Sequence, residues 1–365
     1  MEINEVIRCL ENFAPSSLQE DYDNAGLLIG TGITECTGII TTLDITESVI
    51  AEAVQKKCNL VVAHHPIIFK GLKKLNGKNY VERSVIAAIQ NNIAIYAIHT
   101  NLDNVANGVN KKIAQKLHLQ NTKVLFPKEG TLRKLVTFAP QQSAEDVRNA
   151  LFRAGAGTLG RYSECSFNTE GMGTFNAGEG ADPFVGKIGE RHKETETRIE
   201  VIFPENLLHN VLQNLEEAHP YEEVAYDIYA LGNTRNDVGS GLTGDLAEPV
   251  SEEELLLKLK TEFGLTIIRH TSFLHKKIIK LALCGGAGSF LISAAKAAGA
   301  GAYITSDVKY HEFFDADSSI FLADIGHYES EQFTIDLLAD ILQQKFPNFA
   351  VLKTEIKTNP VNYYV

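Results

Sequence analysis

The chain has 365 residues, of which 44% are hydrophobic and 22% are charged, and these fractions exclude a fibrous or wholly disordered protein. Its formal net charge of -12 makes duplex nucleic acid an improbable partner, because no excess of basic residues is present to attract a phosphate backbone. A nucleotide or another small anionic substrate is compatible with this charge, since a metal ion and local backbone amides can hold one phosphate.

Helical and buried-strand patterns alternate through the first third of the chain. Apolar residues recur at helical spacing in four segments and form short continuous runs in three others. The predicted helices cover residues 3–13, 47–57, 81–91 and 109–117, and the predicted strands cover residues 38–43, 59–63 and 93–98. Continuous apolar strands between helices predict an α/β domain with a largely parallel sheet that helices cover on both faces.

The pattern changes over residues 132–231, where the elements follow a different order. The sequence predicts a strand, a helix that begins with a capping box at Ser143, a glycine-rich segment with strand character, and then a strand, a helix and a strand. This βαββαβ order is typical of ferredoxin-like α+β domains. We therefore expect residues 132–231 to form one inserted domain.

The first pattern returns after the inserted segment. A glycine-rich stretch at residues 239–244 precedes a capped helix that starts at Ser251, and a long final helix is predicted over residues 329–345. Because both outer segments share the α/β pattern, we expect residues 1–131 and 232–365 to form one discontinuous domain.

The cysteines and the N-terminus indicate the compartment. The five cysteines are scattered and none belongs to a CxxC pair, so the sequence indicates neither a disulfide framework nor a thiolate zinc site. The first residues are acidic where a signal peptide would be basic, and no stretch reaches the ~18 apolar residues of a membrane span. These features predict a cytoplasmic protein that does not enter a membrane.

Polar side chains follow two of the predicted buried strands, at the point where each strand ends. His64 and His65 come directly after one strand, and His99 and Asp103 follow the next strand along the chain. Because ligand sites lie at the carboxyl ends of parallel strands, these side chains are candidate metal ligands. A surface turn is the alternative for the histidine pair, and a hydrogen-bonded histidine beside a turn-capping aspartate is the alternative for the second cluster.

A third cluster contains His327 and Glu331 and follows a strand that is predicted over residues 320–323. The four-residue spacing places both side chains on one helix face, where they can bind the same metal pair, although a solvated helix pair is the alternative. The three clusters together offer nitrogen and oxygen ligands without thiolates, a set that suits Zn, Mn, Fe or Co. Five ligands exceed one tetrahedral zinc site, so we expect a bridging carboxylate and two metal ions ~3.5 to 4 Å apart.

Three further motifs carry weaker signals. Asp307 and His311 follow a predicted strand, and substrate contact and loop hydrogen bonding explain them equally well. Residues 284–289 (CGGAGS) could hold an anion with backbone amides, but a tight turn between strand and helix is the favoured interpretation. Residues 219–223 (HPYEE) could bind a metal or a partner, but the end of a helix before proline explains most of this motif.

Five motifs together resemble one protein family over essentially the whole chain. The motifs are residues 22–27 (YDNAGL), 64–66 (HHP), 99–103 (HTNLD), 306–311 (SDVKYH) and 326–331 (GHYESE). The family is the NIF-three-like dinuclear-metal hexameric family, whose bacterial members carry the name GTP cyclohydrolase 1 type 2 homolog. The inserted segment is similar to the PII or CutA fold. One departure is Tyr22, where many relatives carry Trp, and this exchange could change a surface on which a substrate stacks.

The resemblance implies specific ligands and an assembly. It implies that two divalent metal ions per chain bind to a set of five residues, with Glu331 as the bridging carboxylate. These residues are His64, His65, Asp103, His327 and Glu331. It also implies a toroidal homohexamer whose metal sites face inward and whose inserted domains cap the ring.

These residues and the resemblance are compatible with two functions from different classes. The first is a metal-dependent hydrolase that acts on a nucleotide or a related small molecule through a metal-bound hydroxide, with His99 or His311 as the proton carrier. Hydrolysis of the purine ring of GTP and cleavage of a phosphoester both fit this site. The second is a non-enzymatic hexameric scaffold or regulator that is loaded with metal and senses a ligand through the PII-like domain. The glycine-rich residues 170–189 are compatible with the second function.

Overall fold

A computed structural model describes residues 1–364, and two compact units divide the chain. One unit contains residues 1–128 together with the described residues from Asn236 onward, and the other contains Glu129–Arg235. Among residues 1–364, no helix is both long enough and apolar enough to cross a membrane. All five cysteines are free thiols.

Helices and strands alternate along most of the described chain. The helices are α1 Ile3–Phe13, α2 Glu47–Gln55, α3 Tyr80–Gln90, α4 Thr100–Asp103, α5 Val109–Lys116, α6 Ala144–Arg153, α7 Leu208–Ala218, α8 Glu252–Phe263, α9 Ile292–Ala297, α10 His327–Glu331 and α11 Thr334–Lys345. The strands are β1 Gly26–Ile29, β2 Ile39–Thr42, β3 Leu60–Ala63, β4 Ala94–Ala97, β5 Gln120–Pro127, β6 Leu132–Pro140, β7 Ser166–Asn176, β8 Arg191–Pro204, β9 Tyr226–Ala230, β10 Gly239–Val250, β11 Arg269–His270, β12 Ile278–Ala287, β13 Ala302–Ser306, β14 Phe321–Asp324 and β15 Val351–Lys353.

The larger unit contains two mixed sheets instead of the single sheet that the strand pattern suggests. The first has the order β1-β4-β3-β2-β15 and is parallel except for the edge strand β1. The second has the order β11-β14-β13-β12-β10-β5, with β12, β13 and β14 parallel and the others antiparallel. The predicted α/β class with largely parallel pairing is therefore confirmed.

Burial on both faces explains why the central strands are continuously apolar. In β3, Leu60 and Val62 belong to one hydrophobic cluster while Val61 and Ala63 belong to another, and all four side chains are fully buried. The first cluster also contains residues of the second sheet, such as Phe321 in β14. Side chains alternate between the faces of a strand, so a strand with two covered faces has no polar position.

The smaller unit has the topology predicted for the insertion. Its elements follow the order β6-α6-β7-β8-α7-β9, and the sheet has the antiparallel order β7-β8-β6-β9. Both helices pack on one face of this sheet, where Leu135, Val201 and Phe203 contribute to a buried cluster with Val211 and Leu215. The ferredoxin-like prediction for the insertion is confirmed.

Two local predictions were wrong, and one strand had no predicted counterpart. Ser143 precedes α6 but makes no capping hydrogen bond, because its backbone is helical (φ -104°, ψ -8°) and not in the extended conformation that a capping side chain requires. The final helix is interrupted at residues 332–333, where neither residue is a helix breaker and the sequence carries no signal. The glycine-rich residues 239–244, for which no element is predicted, begin strand β10. Glycine is required at position 239 because a Cβ there would lie 2.2 Å from the Phe126 carbonyl oxygen of β5.

Candidate metal centre

Parallel register brings the first two polar clusters together. Ala63 at the end of β3 is paired with Ala97 at the end of β4, so the residues that follow both strands meet at one sheet edge. The His64 backbone amide donates to the Thr42 carbonyl oxygen of β2 at 3.1 Å, which continues the sheet by one residue. The rings of His64 and His65 have centroids 4.9 Å apart.

Two short helices supply the remaining candidate ligands. Asp103 ends α4, the single helical turn that begins directly after His99. His327 and Glu331 begin and end α10, which follows β14 of the second sheet. The Nε2 atoms of His65 and His327 lie 3.0 and 3.1 Å from Glu331 Oε2, so the ends of both sheets meet at this carboxylate.

Three groups of side chains could each hold a metal ion, and within each group the ligand atoms lie within 4.8 Å of one another. The groups are His64 with Asp103 and Glu331, His65 with His327 and Glu331, and His64 with His65 and His99. The structure therefore brings together the five residues that the sequence resemblance implies as ligands. Glu331 is the carboxylate that belongs to two groups.

Two buried polar atoms in this cluster have no hydrogen-bond partner among the described residues. They are His64 Nε2 and Asp103 Oδ1, which lie 3.6 Å apart. An unpartnered buried polar atom costs about 1–3 kcal/mol, and nitrogen and carboxylate oxygen atoms are the ligands that borderline divalent metals prefer. The side chains in this position therefore fit a bound metal ion.

The three imidazoles among the implied ligands are each fixed through Nδ1, which leaves Nε2 to face the candidate metal positions. A carboxylate or a backbone carbonyl in this position is the usual partner of a metal-binding histidine. The pairs are His64 with the Ile98 carbonyl oxygen at 2.9 Å, His65 with Asp44 Oδ1 at 2.8 Å, and His327 with Asp307 Oδ2 at 2.7 Å. Asp307 thus has a partner in the cluster, whereas its sequence position alone leaves its role open.

The charges in the cluster perturb each other strongly. Burial would raise the pKa of Glu331, but hydrogen bonds from His327 and His65 hold it well below its usual value. Burial lowers the pKa values of His65 and His327, but the facing carboxylates raise them to about 9 and about 11. Burial and the charge of Glu331 raise the pKa of Asp103 to about 7. A bound cation would take the place of the protons that these groups share.

His99 lies at the border of the cluster and is held by a buried carboxylate. Its Nδ1 atom is 2.8 Å from Asp23 Oδ1, and the Thr100 amide and hydroxyl donate to the other oxygen at 3.0 and 2.5 Å. Burial would raise the pKa of Asp23, but these hydrogen bonds hold it well below the usual range. Asp23 therefore remains ionised and fixes the orientation of the His99 ring, whose edge contacts Phe69.

His311 lies on an exposed turn after β13, outside the three candidate metal groups of the described chain. Its ring contacts Tyr310 and Phe314, with centroid distances of 5.1 and 6.4 Å. The Tyr310 and Phe314 rings are themselves largely exposed. These contacts place His311 on an aromatic surface and connect it to none of the clustered imidazoles.

Residues 284–289 lie mainly in β12 and pack behind Glu331. Gly286 has a φ of +64°, and a Cβ at this position would lie 2.3 Å from Glu331 Oε1. The Thr305 and Ser306 hydroxyl groups donate to the Gly286 carbonyl oxygen. The glycine is needed for a close approach to the shared carboxylate, a role that the sequence motif does not reveal.

The motif at residues 219–223 follows the end of a helix, as the sequence predicts, and does not form a metal site. Helix α7 ends at Ala218, directly before it. The buried His219 ring bridges two backbone groups, since Nε2 donates to the Phe138 carbonyl oxygen at 3.0 Å and Nδ1 accepts from the Tyr221 amide at 3.1 Å. Neither ring nitrogen is left to bind a metal ion.

Comparison with known proteins assigns the family. Residues 1–360 match the profile described as Duf34/NIF3 (NGG1p interacting factor 3). The chain belongs to the Duf34/NIF3 family. It is 36% identical over 365 residues to a Bacillus subtilis protein and 38% identical over 363 residues to one from Halalkalibacterium halodurans, with 98% of each chain covered in both cases. Both relatives are named GTP cyclohydrolase 1 type 2 homolog.

A solved structure supports the same assignment. A Bacillus cereus protein related to NIF3 superposes with a TM-score of 0.86 at 36% identity, and the match covers 100% of this chain and 99% of that one. The family resemblance stated from the sequence motifs is therefore confirmed. The match includes the segments on both sides of the insertion as well as the insertion itself.

Proposed function

We propose that the protein is a metal-dependent hydrolase that acts on a nucleotide or a related small molecule with two divalent metal ions per chain. The observation that carries this proposal is the position of Glu331, which is shared between two groups of potential ligands. The unpartnered His64 Nε2 and Asp103 Oδ1 atoms support a cation in the first group. Nitrogen and oxygen ligands without thiolates favour Zn, Mn, Fe or Co.

The proposed ligands come from both sides of the inserted segment. His64, Asp103 and Glu331 would hold one ion, and His65, His327 and Glu331 would hold the other, with Glu331 as the bridge. This arrangement supports the assignment of residues 1–131 and 232–365 to one discontinuous domain, with residues 132–231 as a separate inserted domain.

In the proposed reaction the metal ions and the side chains have different roles. Two divalent ions, when bound, polarise the electrophilic group of a substrate and lower the pKa of water. His99 would carry a proton through Nε2, because Asp23 holds its Nδ1 atom in place. His311 is the other predicted proton carrier, but its exposed aromatic surroundings lead us to assign this role to His99.

Aromatic side chains near the cluster support a nucleotide as the substrate. Phe69 is 51% exposed and its ring centroid lies 5.8 Å from that of His99, so a purine could stack there beside the metal ions. Tyr22, the position at which the sequence departs from the family resemblance, is 73% exposed and precedes Asp23. The name of the relatives, GTP cyclohydrolase 1 type 2 homolog, makes GTP the first substrate to test.

We also propose a homohexamer, on the basis of the resemblance to the hexameric family. Size-exclusion chromatography with light scattering is expected to give a mass six times that of one chain. A monomer or dimer at micromolar concentration would contradict this assembly.

Metal content and turnover test the proposed function together. Protein without a tag, reconstituted with divalent metal and dialysed, is expected to hold close to two ions per chain by elemental mass spectrometry. It should then hydrolyse at least one member of a nucleotide panel that includes GTP, in a reaction that a chelator abolishes. Negligible metal would contradict the metal centre. Two ions without turnover on any nucleotide would instead support the metal-loaded scaffold or regulator.

Asp44 provides a test that does not depend on the substrate. Asp44→Ala removes the carboxylate that fixes His65 and is expected to weaken metal binding about 10- to 100-fold. Competition with a fluorescent chelator measures this affinity. Asp336→Ala is the matched control, because that carboxylate pairs with Lys353 at 2.8 Å on the surface. Equal affinities in the two variants would show that Asp44 does not support the ligand.

A further inference from the structure

The inserted unit contains a cavity of about 660 Å³, a volume within the usual range of small-molecule sites. Its floor is the sheet face opposite the helices. Ile199 is buried on the helix side, so its neighbour Arg198 faces the other way, together with Phe138 and Thr169, which are its register partners on the adjacent strands. Residues from two segments, 176–184 and 221–225, contribute to the remaining walls.

Three aromatic rings in these walls are inclined to one another. The centroid of Tyr221 lies 6.2 Å from that of Phe175 and 6.4 Å from that of Phe184, with interplanar angles of 57° and 54°. All three rings line the cavity, and several inclined aromatic rings around one space are the arrangement that binds organic cations such as quaternary ammonium groups.

The charged residues that line the cavity favour the same class of ligand. Glu196, Glu222 and Glu223 are acidic and Arg198 is basic, whereas Glu170 follows Thr169 and therefore points to the opposite face of the sheet. Arg198 is already paired with Glu200, at 2.9 Å between Nη2 and Oε1. Glu196 accepts a hydrogen bond from the Tyr221 hydroxyl at 2.8 Å, which joins a carboxylate to the aromatic wall. An anionic ligand would meet repulsion here, whereas a cation would find an acceptor.

We propose that this cavity binds a small organic cation with an apolar body, held against Phe175, Phe184 and Tyr221 and balanced by Glu196. The site is separate from the proposed metal centre and shares no residue with it. It gives the inserted domain a ligand of defined chemistry, whatever reaction the metal centre performs.

Calorimetric titration of the full chain with benzyltrimethylammonium tests the proposal, with neutral benzyl alcohol and anionic benzylphosphonate as comparison probes. We expect one cation per chain, bound about tenfold more tightly than either comparison probe. Phe184→Ala and Glu196→Gln should each weaken the cation about tenfold. Phe184 lies in a loop and the glutamine keeps the shape of Glu196, so both variants should fold, which circular dichroism checks.

Matched control variants keep the test specific to the cavity. Phe167→Ala removes a ring that is 68% exposed on β7 outside the cavity, and Glu216→Gln removes an exposed carboxylate on α7, so both should bind the cation as the natural chain does. The proposal is overturned if the natural chain does not bind the cation. This includes the case in which a second copy of the chain covers the cavity. Equal binding of the three probes, or cation binding unchanged in Phe184→Ala and Glu196→Gln, also overturns it.

Discussion

Glu331→Ala is expected to remove both metal ions and to lower metal-dependent turnover by more than about 100-fold. Loss of a residue that only supports a metal ligand lowers metal affinity or activity by up to about 100-fold, and loss of a shared ligand should have a larger effect. The reason is geometric, because one carboxylate belongs to both candidate groups and accepts from His65 and His327. Elemental mass spectrometry and a nucleotide assay on the same preparation measure the two effects.

The controls for this substitution separate ligand loss from unfolding. Glu331→Gln keeps the side-chain shape while removing the charge, and it should also lose metal if coordination is the role of this residue. Glu253→Ala removes an exposed carboxylate of α8 and should keep the full metal content and activity. A Glu331→Ala protein that retains both metals and full turnover would refute the proposed centre.

Gly286→Ala is expected to expel metal without removing any ligand. The new methyl group would lie 2.3 Å from Glu331 Oε1 and 3.5 Å from His327 Cε1, so the shared carboxylate must move. The positive φ of +64° adds a backbone penalty of about 1 kcal/mol to the free energy of folding. We expect the metal content to fall by at least about half, together with a corresponding loss of turnover.

Gly264→Ala is the matched control for this strain. Gly264 ends α8 with the same φ of +64°, but nothing lies within 4 Å of a Cβ at that position. In denaturant titrations Gly264→Ala should lose about 1 kcal/mol of stability, and Gly286→Ala should lose more because its methyl group also meets a buried carboxylate. If Gly264→Ala also lost metal, or if Gly286→Ala kept two ions, the contact with Glu331 would not control the site.

The fold was predictable from the sequence wherever burial leaves a periodic signal. Helix α1 has the predicted bounds, and strands such as β3 were recognised because both of their faces are covered. The division of the strands between two sheets was not predictable, because an apolar run does not record which neighbour it pairs with. Strand β10 was missed because close backbone packing selected glycine where strand propensity would favour branched residues.

The sequence predicted those candidate site residues that follow a buried strand as a cluster of polar side chains. His64, His65 and the His327–Glu331 pair stood out because imidazoles and carboxylates rarely follow buried strands by chance. Asp44 was missed because one aspartate after a strand resembles any turn, although its position after β2 matches the other clusters. The position of Phe69 was not predictable from the sequence, because its contact with His99 depends on the path of the loop that carries it.

The order of the ligands along the chain has a consequence for biosynthesis. His65 and Glu331 are 266 positions apart, and the contact between them joins the ends of two sheets. A ribosome therefore exposes the first half of the cluster long before the second half exists, and the proposed shared ligand is absent until residue 331 has been synthesised. If Glu331 is the bridge proposed above, metal capture must wait for this residue, and a chain truncated before it would lack the bridging carboxylate.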